Sequence, residues 1–317
     1  MKKTFIKNLA GCILLILITI INYSCSSVSY ASSINSSRTI NIDKNFTGIR
    51  TQAAIEITYT QNTSKPVAII TGPKEIIEGM SYSINKNGIL SFELPKNKKN
   101  IWGKISIELN GGPLYNYEAS SSGSIVVTTP VNVNNTLNFA ISSSAEILMK
   151  KDVDSNTNNI NVAVSSSGKM IFQGSVIAKG CNFATSSSAY FKTNSIVTKS
   201  INYAGSSVGT FEGLSLKADK ANFSVSSGAG LEIGQTTIGS LSASASSGAD
   251  ISCGNVNLNL VSLIASSGGT ITIKGNTKEA VMSASSGGAI NAQNLNIKQT
   301  VTRNSSSGGS INLKKKK

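Results

Sequence analysis

Histidine is absent from all 317 residues. With no imidazole, a Ser-His-Asp triad, a Cys-His pair and every His-ligated metal site are excluded. Aromatic residues make up 6% of the chain and no basic stretch is interleaved with them, so nucleic acid is not an expected partner. Cysteine occurs four times, but Cys12 and Cys25 fall near the N-terminus, leaving Cys181 and Cys253 in the body of the chain. Acidic residues number 15 against 29 lysines and arginines. Such a poor supply of carboxylates argues against the paired acids that cleave glycans. Long apolar runs are missing too, with one exception.

That exception, Ile13 to Ile21, follows Lys2, Lys3 and Lys7 and is too short to span a bilayer comfortably. It reads as the apolar region of a signal peptide over residues 1–24, which implies export. The stretch "NYSC" puts Ser24 directly before Cys25 and resembles a bacterial lipobox, although Asn22 stands where that motif favours an aliphatic residue. Cys25 is therefore the expected lipid-attachment site, anchoring the protein to a membrane, with the outer membrane as its expected location. The competing site is "SYA", Ser29 to Ala31, where ordinary cleavage would release a secreted protein.

Setting the three signal lysines aside leaves 26 basic residues against 15 acidic, a net +11, spread along the chain and ending in Lys314 to Lys317. Diffuse positive charge favours anionic glycans, lipopolysaccharide or a membrane surface, through an attraction that salt screens. Solubility alone is the plainer role for it.

Serine, by contrast, is plentiful and regularly placed. Pairs stand at Ser121/Ser122, Ser143/Ser144, Ser166/Ser167, Ser187/Ser188, Ser206/Ser207, Ser226/Ser227, Ser246/Ser247, Ser266/Ser267, Ser285/Ser286 and Ser306/Ser307. Successive intervals are 22, 23, 21, 19, 20, 20, 20, 19 and 21 residues. Apolar residues alternate with polar ones on both sides, as in Leu137, Phe139, Ile141 before one pair and Met170, Phe172 after the next, the mark of strands with one buried face. A unit of ~20 residues cannot bury that face alone, whereas stacked units share a continuous core. The expected fold is all-β: a parallel β-solenoid of about ten coils, each paired to its neighbours at ~4.8 Å. Stacking puts equivalent residues above one another. The corners are thus expected to admit only small side chains, with Gly for unusual dihedrals and Ser hydroxyls for turn backbone groups. Cys181 and Cys253 would lie ~15 Å apart at that spacing. A disulfide needs less than ~7 Å between Cα atoms, so both read as small buried hydrophobes.

The acids of the repeat region are Glu146, Asp152, Asp154, Glu212, Asp219, Glu232, Asp250 and Glu279, and they read as scattered over different repeat positions. Asp152 and Asp154 are expected in a solvated loop, and the serines have no base to activate them. No catalytic residue, cofactor or metal ligand is assigned. More informative are the outward positions ahead of each corner: Asn138, Asn161, Asn182, Asn202 and Asn222, beside Ala140, Ala163, Ala184, Ala204 and Ser224. Two columns of short side chains would make a flat candidate contact face for a glycan or for a second copy of the chain. The structural alternative is that they only support an untwisted stack.

Residues 39–118 differ in character. "GIRTQAAIEITYTQ", "PVAIITG", "MSYSINKNGILSFEL" and "GKISIELNGG" alternate as strands, Asn87-Gly88 signals a hairpin, and "GPKEIIEGM" suggests one helical turn behind Pro73. The organisation read from the chain is a signal peptide 1–24, a serine-rich tether 25–38, a β head 39–118 that continues the sheets and caps the stack, solenoid repeats 119–313 and a basic tail 314–317.

"FTGIRTQAAIEITYTQ" from Phe46, "NGILSFEL", and serial "ASSSG" and "SASSGG" units ending in "GAIN" and "GSIN" resemble the bacterial family called putative auto-transporter adhesin, head GIN domain. The resemblance covers roughly Ile40 to Leu313. It implies a right-handed parallel β-helix, found among exported lipoproteins of Bacteroidota, with no established enzymatic activity. It supplies no catalytic residue, because the shared motif consists of turns. The expected function is that of a non-catalytic cell-envelope lipoprotein, an adhesin or glycan-binding solenoid. A self-associating envelope scaffold and a carbohydrate-active β-helix enzyme are the alternatives.

Overall fold

The computed structural model describes residues 35–62, 64–96 and 103–314. The signal peptide, Cys25 and Lys315 to Lys317 lie outside the described residues. One compact unit begins at Asn35. Among its described residues, 24 strands share one hydrogen-bonded sheet that winds round a continuous apolar core, a β-solenoid of about ten turns. The middle of the stack is the most regular part. Lys169–Thr185, Tyr190–Gly205, Thr210–Val225, Gly230–Ala245, Asp250–Ala265 and Thr270–Ala284 are long strands, each paired in parallel with the next.

Period-two alternation explains the interior. In Tyr190–Gly205 the buried residues include Phe191, Thr193, Ile196, Thr198, Ile201 and Tyr203, while Lys192, Asn194, Val197, Lys199, Asn202 and Ala204 between them face water. Equivalent positions stack into columns, one of which runs Tyr117, Phe139, Val162, Phe183, Tyr203, Phe223, Ala243, Leu263, Met282. Its rings interlock with those of the adjoining face. Tyr117 stacks on Phe139 at 4.9 Å, Phe191 on Phe211 at 4.7 Å, and Phe183 meets Phe191 edge-on at 4.7 Å. Contacts of this kind add about 0.5–1.5 kcal/mol each beyond simple burial. Gly205 leaves room for the Tyr203 hydroxyl, since a Cβ there would lie 2.6 Å from it. The phenol instead shares a 2.6 Å hydrogen bond with Thr185 Oγ1. Cys181 and Cys253 are free, buried thiols, both pushed up from 9.0 to about 12 by burial.

The corners correct one expectation and narrow another. Each holds two consecutive residues of positive φ, such as Ser143 (53°) and Ser144 (60°), closed by a hydrogen bond from Ala145 N to Ser142 O at 3.1 Å. The second of the pair donates its backbone N–H to the first residue of the next corner: Ser122 N to Ser143 O at 2.9 Å, Ser144 N to Ser166 O at 3.0 Å. Backbone groups, rather than the expected serine hydroxyls, thus satisfy the turn. Crowding, expected throughout the corner, limits one of its positions and not another: a Cβ on Gly269 would lie 2.5 Å from the backbone carbonyl of Ala245. A Cβ on Gly268 would meet nothing within 4 Å, and Val208, 58% exposed, occupies the equivalent position with φ 65°. At the Gly268 position the left-handed φ alone favours Gly, because an L side chain is strained in that region.

The head is woven into the stack. β1 (Asn35–Asn41), β2 (Gly48–Thr51), β3 (Ile55–Gln61), β4 (Val67–Pro73), β5 (Ser81–Ile84), β6 (Ile89–Glu93), β7 (Ile105–Gly111), β8 (Asn116–Ala119) and β9 (Ser124–Val127) come first. β1 starts inside the stretch read as a tether, and Arg38 there donates to the carbonyls of Ile77, Glu78 and Met80. Between β2 and β3, Ala53 (φ 56°) and Ala54 (φ 58°) form a further corner, and Ala54 N donates to Ser121 O at 3.1 Å. The next coil of the stack is β8 and β9, but it is not next in sequence. The chain first turns away through β4, the helical turn Lys74–Ile77 behind Pro73, and the β5–β6 hairpin, and then β6 and β7 pair in parallel with the far sides of β2 and β3. Antiparallel pairs, β1 with β4 and β5 with β6, close this end.

Candidate functional site

The ten residues of the two columns lie where alternation places them, on the outward side of the strands preceding the corners. Asn138, Asn161, Asn182, Asn202 and Asn222 are in register, as are Ala140, Ala163, Ala184, Ala204 and Ser224. All face solvent, Asn161 being half-buried and the others exposed. The amides bond to one another: Asn161 Nδ2 donates to Asn138 Oδ1 at 2.9 Å, Asn182 to Asn161 at 3.0 Å, Asn202 to Asn182 at 2.9 Å and Asn222 to Asn202 at 3.0 Å. One residue was missed from sequence, for Asn138 Nδ2 donates in turn to Asn116 Oδ1 at 3.1 Å. Its signal was present. Asn116 precedes Ser121 by the same five residues that separate Asn138 from Ser143.

Each amide inside the ladder, from Asn138 to Asn202, spends one N–H and one carbonyl lone pair on its neighbours and keeps the second N–H for the surface. The side chains are thereby held in one rotamer, facing outward as a row of fixed, uncharged donors. At the upper end of the ladder Ser242 replaces asparagine, so Asn222 Oδ1 meets no further amide. A shallow groove of about 510 Å³ opens there, walled by Asn202, Asn222, Ala204 and Ser242 and floored by the strands at Tyr203 and Phe223. Beyond it the same face turns apolar, with Leu260, Ile264 and Val281 38%, 49% and 45% exposed. At the opposite end Glu118 continues the alanine column and is bridged by Arg50 at 2.5 Å.

The acids are less scattered than their sequence positions suggested. Glu212 and Glu232 occupy the same outward position in adjacent coils, on the face after the corners. Glu212 accepts from the Tyr190 hydroxyl at 2.6 Å and lies 3.6 Å from Lys192. Burial first, and that carboxylate second, push the Tyr190 phenol up to about 12. The pair stands on an open strand surface, away from the groove. Asp152 and Asp154 lie near a turn, and their Oδ1 atoms accept the backbone N–H groups of Ser175 at 2.7 Å and Asn156 at 2.6 Å. Among the described residues, no group of three His, Cys, Asp or Glu is placed to hold a metal ion.

The fold is thus a parallel β-solenoid with an amide ladder along one outward face. The chain belongs to the family described as putative auto-transporter adhesin, head GIN domain, whose model matches residues 45–253 and 233–317. No curated protein matches it. Solved structures share the fold at low identity. A putative adhesin from Parabacteroides merdae is 16% identical with a TM-score of 0.56, covering 87% of this chain and 95% of its own. A putative adhesin from Parabacteroides distasonis is 15% identical with a TM-score of 0.60 over 86% and 98%. A putative lipid binding protein from the same organism is 17% identical with a TM-score of 0.51 over 89% and 97%.

Proposed function

We propose that the protein is an exported, lipid-anchored binding solenoid of the cell envelope, without catalytic activity, whose asparagine and alanine face contacts a glycan. The observation that carries this reading is the ladder. It presents one outward amide N–H per coil at ~4.8 Å intervals beside side chains short enough to let a polymer approach the strands. Uncharged donors in a fixed row suit hydroxyl-rich chains, while the diffuse positive charge raises the local concentration of anionic ones. The family's description speaks of adhesion and of no chemistry.

Two tests address the two halves of the reading. Binding is measured on a glycan array and then, for a hit, at low and physiological salt, with β circular dichroism as the control of folding. Ala184→Glu puts a bulky charge in the middle of the face and is expected to abolish binding while the fold persists. Deletion of Lys314 to Lys317 is expected to weaken it only at low salt. If Ala184→Glu binds like wild type and the lysine deletion does not bind, the contact is diffuse charge and the face is not the site. Turnover of a hit would revive the enzyme. For the anchor, wild type is expected to take up labelled palmitate and Cys25→Ala to lose it; a mature N-terminus at Ser32 would show secretion instead.

A further inference from the structure

The amide ladder stops in the middle of its face, inside the stack. Asn222 Nδ2 donates to Asn202 Oδ1 at 3.0 Å, but no described residue donates to Asn222 Oδ1. In the next two coils the same outward position holds Ser242 and then Ser262, and Val281 follows in the coil after. Two short side chains thus leave a gap in the column, roughly 10 Å along the axis. The groove of about 510 Å³ opens at its lower half, between Asn222 and Ser242. Its upper half is apolar at the edges. Leu260 and Ile264 flank Ser262 on the outward side of their strand, 38% and 49% exposed, and Val281 stands above it, 45% exposed. One open carbonyl acceptor therefore faces a recess lined with hydroxyls and rimmed by apolar side chains.

Resting on the reading that this face contacts a glycan, we propose that the sugar it recognises is an N-acetylated amino sugar, whose acetamido group fills the rung left open at Ser242. A trans amide is planar and turns its N–H and C=O to opposite sides. With its N–H donated to Asn222 Oδ1, the ligand amide therefore points its carbonyl up the column towards Ser262, whose hydroxyl can donate to it. Its methyl group then lies across the strand, on the side of Leu260 or of Ile264, where burial against an apolar side chain is favourable. A plain hexose answers only the first of these contacts. Its hydroxyl can donate to Asn222 Oδ1, but it brings neither a carbonyl for Ser262 nor a methyl for the apolar rim. The ladder is thus continued by a ligand amide of the same geometry as its own.

The test is isothermal titration calorimetry of the purified full chain with triacetylchitotriose and with cellotriose, which has the same linkage and length but hydroxyls in place of the acetamido groups. Wild type is expected to bind the acetylated trimer about 3- to 10-fold more tightly, the worth of one net hydrogen bond. Ser242→Asn supplies the missing rung from the protein itself. It is expected to bind the two trimers alike, while its urea midpoint rises because the new amide donates to Asn222 Oδ1. Asn222→Ala removes the acceptor and is likewise expected to lose the preference. Equal affinity of wild type for the two trimers overturns the proposal, and so does a preference that survives in folded Asn222→Ala or in Ser242→Asn with a raised midpoint. Should that midpoint not rise, the added side chain has not joined the ladder and Asn222→Ala decides alone. Array hits that Ala184→Glu abolishes but that carry no acetamido group leave the face a glycan site and sink this assignment; absence of all glycan binding sinks both.

Discussion

Val208 occupies the same corner position as Gly228, Gly248 and Gly268, with φ of 65° against their 72°, 73° and 75°. The protein thus contains its own control for what that position tolerates. Gly268→Val meets open space and bears only the strain of a β-branched residue at positive φ, on the order of 1–2 kcal/mol. Gly269→Val is a different case, since a Cβ there would lie 2.5 Å from the backbone carbonyl of Ala245. It is expected to lower the denaturation midpoint clearly more than Gly268→Val does; equal shifts would mean that the corners are looser than drawn. Buried titratable groups give a second residue-scale prediction. Cys181 and Cys253 rise from 9.0, and Tyr203 from 10.0, each to about 12 through burial. A raised folded pKa means that the folded state holds its proton more tightly than the unfolded chain does. Stability from these groups is therefore complete below pH 9 and drains away as pH climbs from 9 towards 12. Urea midpoints measured at pH 8, 10 and 11 should fall in that order, and a flat profile would contradict the burial of the thiols.

Asn182 sits in the middle of the amide ladder and takes part in two of its bonds, donating to Asn161 and accepting from Asn202, whereas Asn222 at the end takes part in one. With a net value of about 0.5–1.5 kcal/mol for a hydrogen bond, and less where water competes, Asn182→Ala should cost roughly twice what Asn222→Ala costs. Thermal or denaturant unfolding of the two variants tests this, and equal costs would reduce the ladder to a geometric coincidence. The ladder also marks what the sequence discloses at the scale of elements. Repetition made the solenoid legible, because alternation fixed which side chains turn inward and the serine pairs fixed where each coil bends. Serine identity then misled wherever geometry used another residue. The Ala53-Ala54 corner carries no serine, and from the fifth repeat onward the left-handed pair is Ser207-Val208 and its successors, one residue beyond the first serine of each pair. Pairing between distant segments was hidden for a different reason. The parallel pairing of β6 with β2 and of β7 with β3 depends on a detour through an antiparallel hairpin, and no local pattern encodes the order in which coils stack. Glu212 and Glu232 likewise became neighbours only once register was known.

Across the whole molecule the core is not uniform. Rings fill its first part, from Tyr59 and Tyr117 through Phe139, Phe172, Phe183, Phe191, Tyr203 and Phe211, and the last of them is Phe223. Beyond that point Ala243, Ala245, Ala265, Ala280, Ala284 and Ala292 take many of the inward positions, and the terminal strand Val301–Ser305 buries none of its residues. Each coil gains its stability from its own burial and from its two neighbours, so a solenoid can lose coils from one end without unfolding throughout. The apolar area buried per coil falls from the ring-rich part towards Leu313, and each fully buried aromatic exchanged for alanine forgoes several kcal/mol. Opening should therefore begin at the C-terminal end and move inward, with the antiparallel strands holding the other end shut. Hydrogen exchange followed by mass spectrometry tests this coil by coil. Amides of Ala289–Ala292 and Val301–Ser305 should exchange first and those of Thr270–Ala284 next. Amides within Lys169–Val225 should exchange last, at rates approaching global unfolding. Uniform protection from Lys169 to Ala292 would mean that backbone pairing alone sets stability and that the tapering core has no thermodynamic effect.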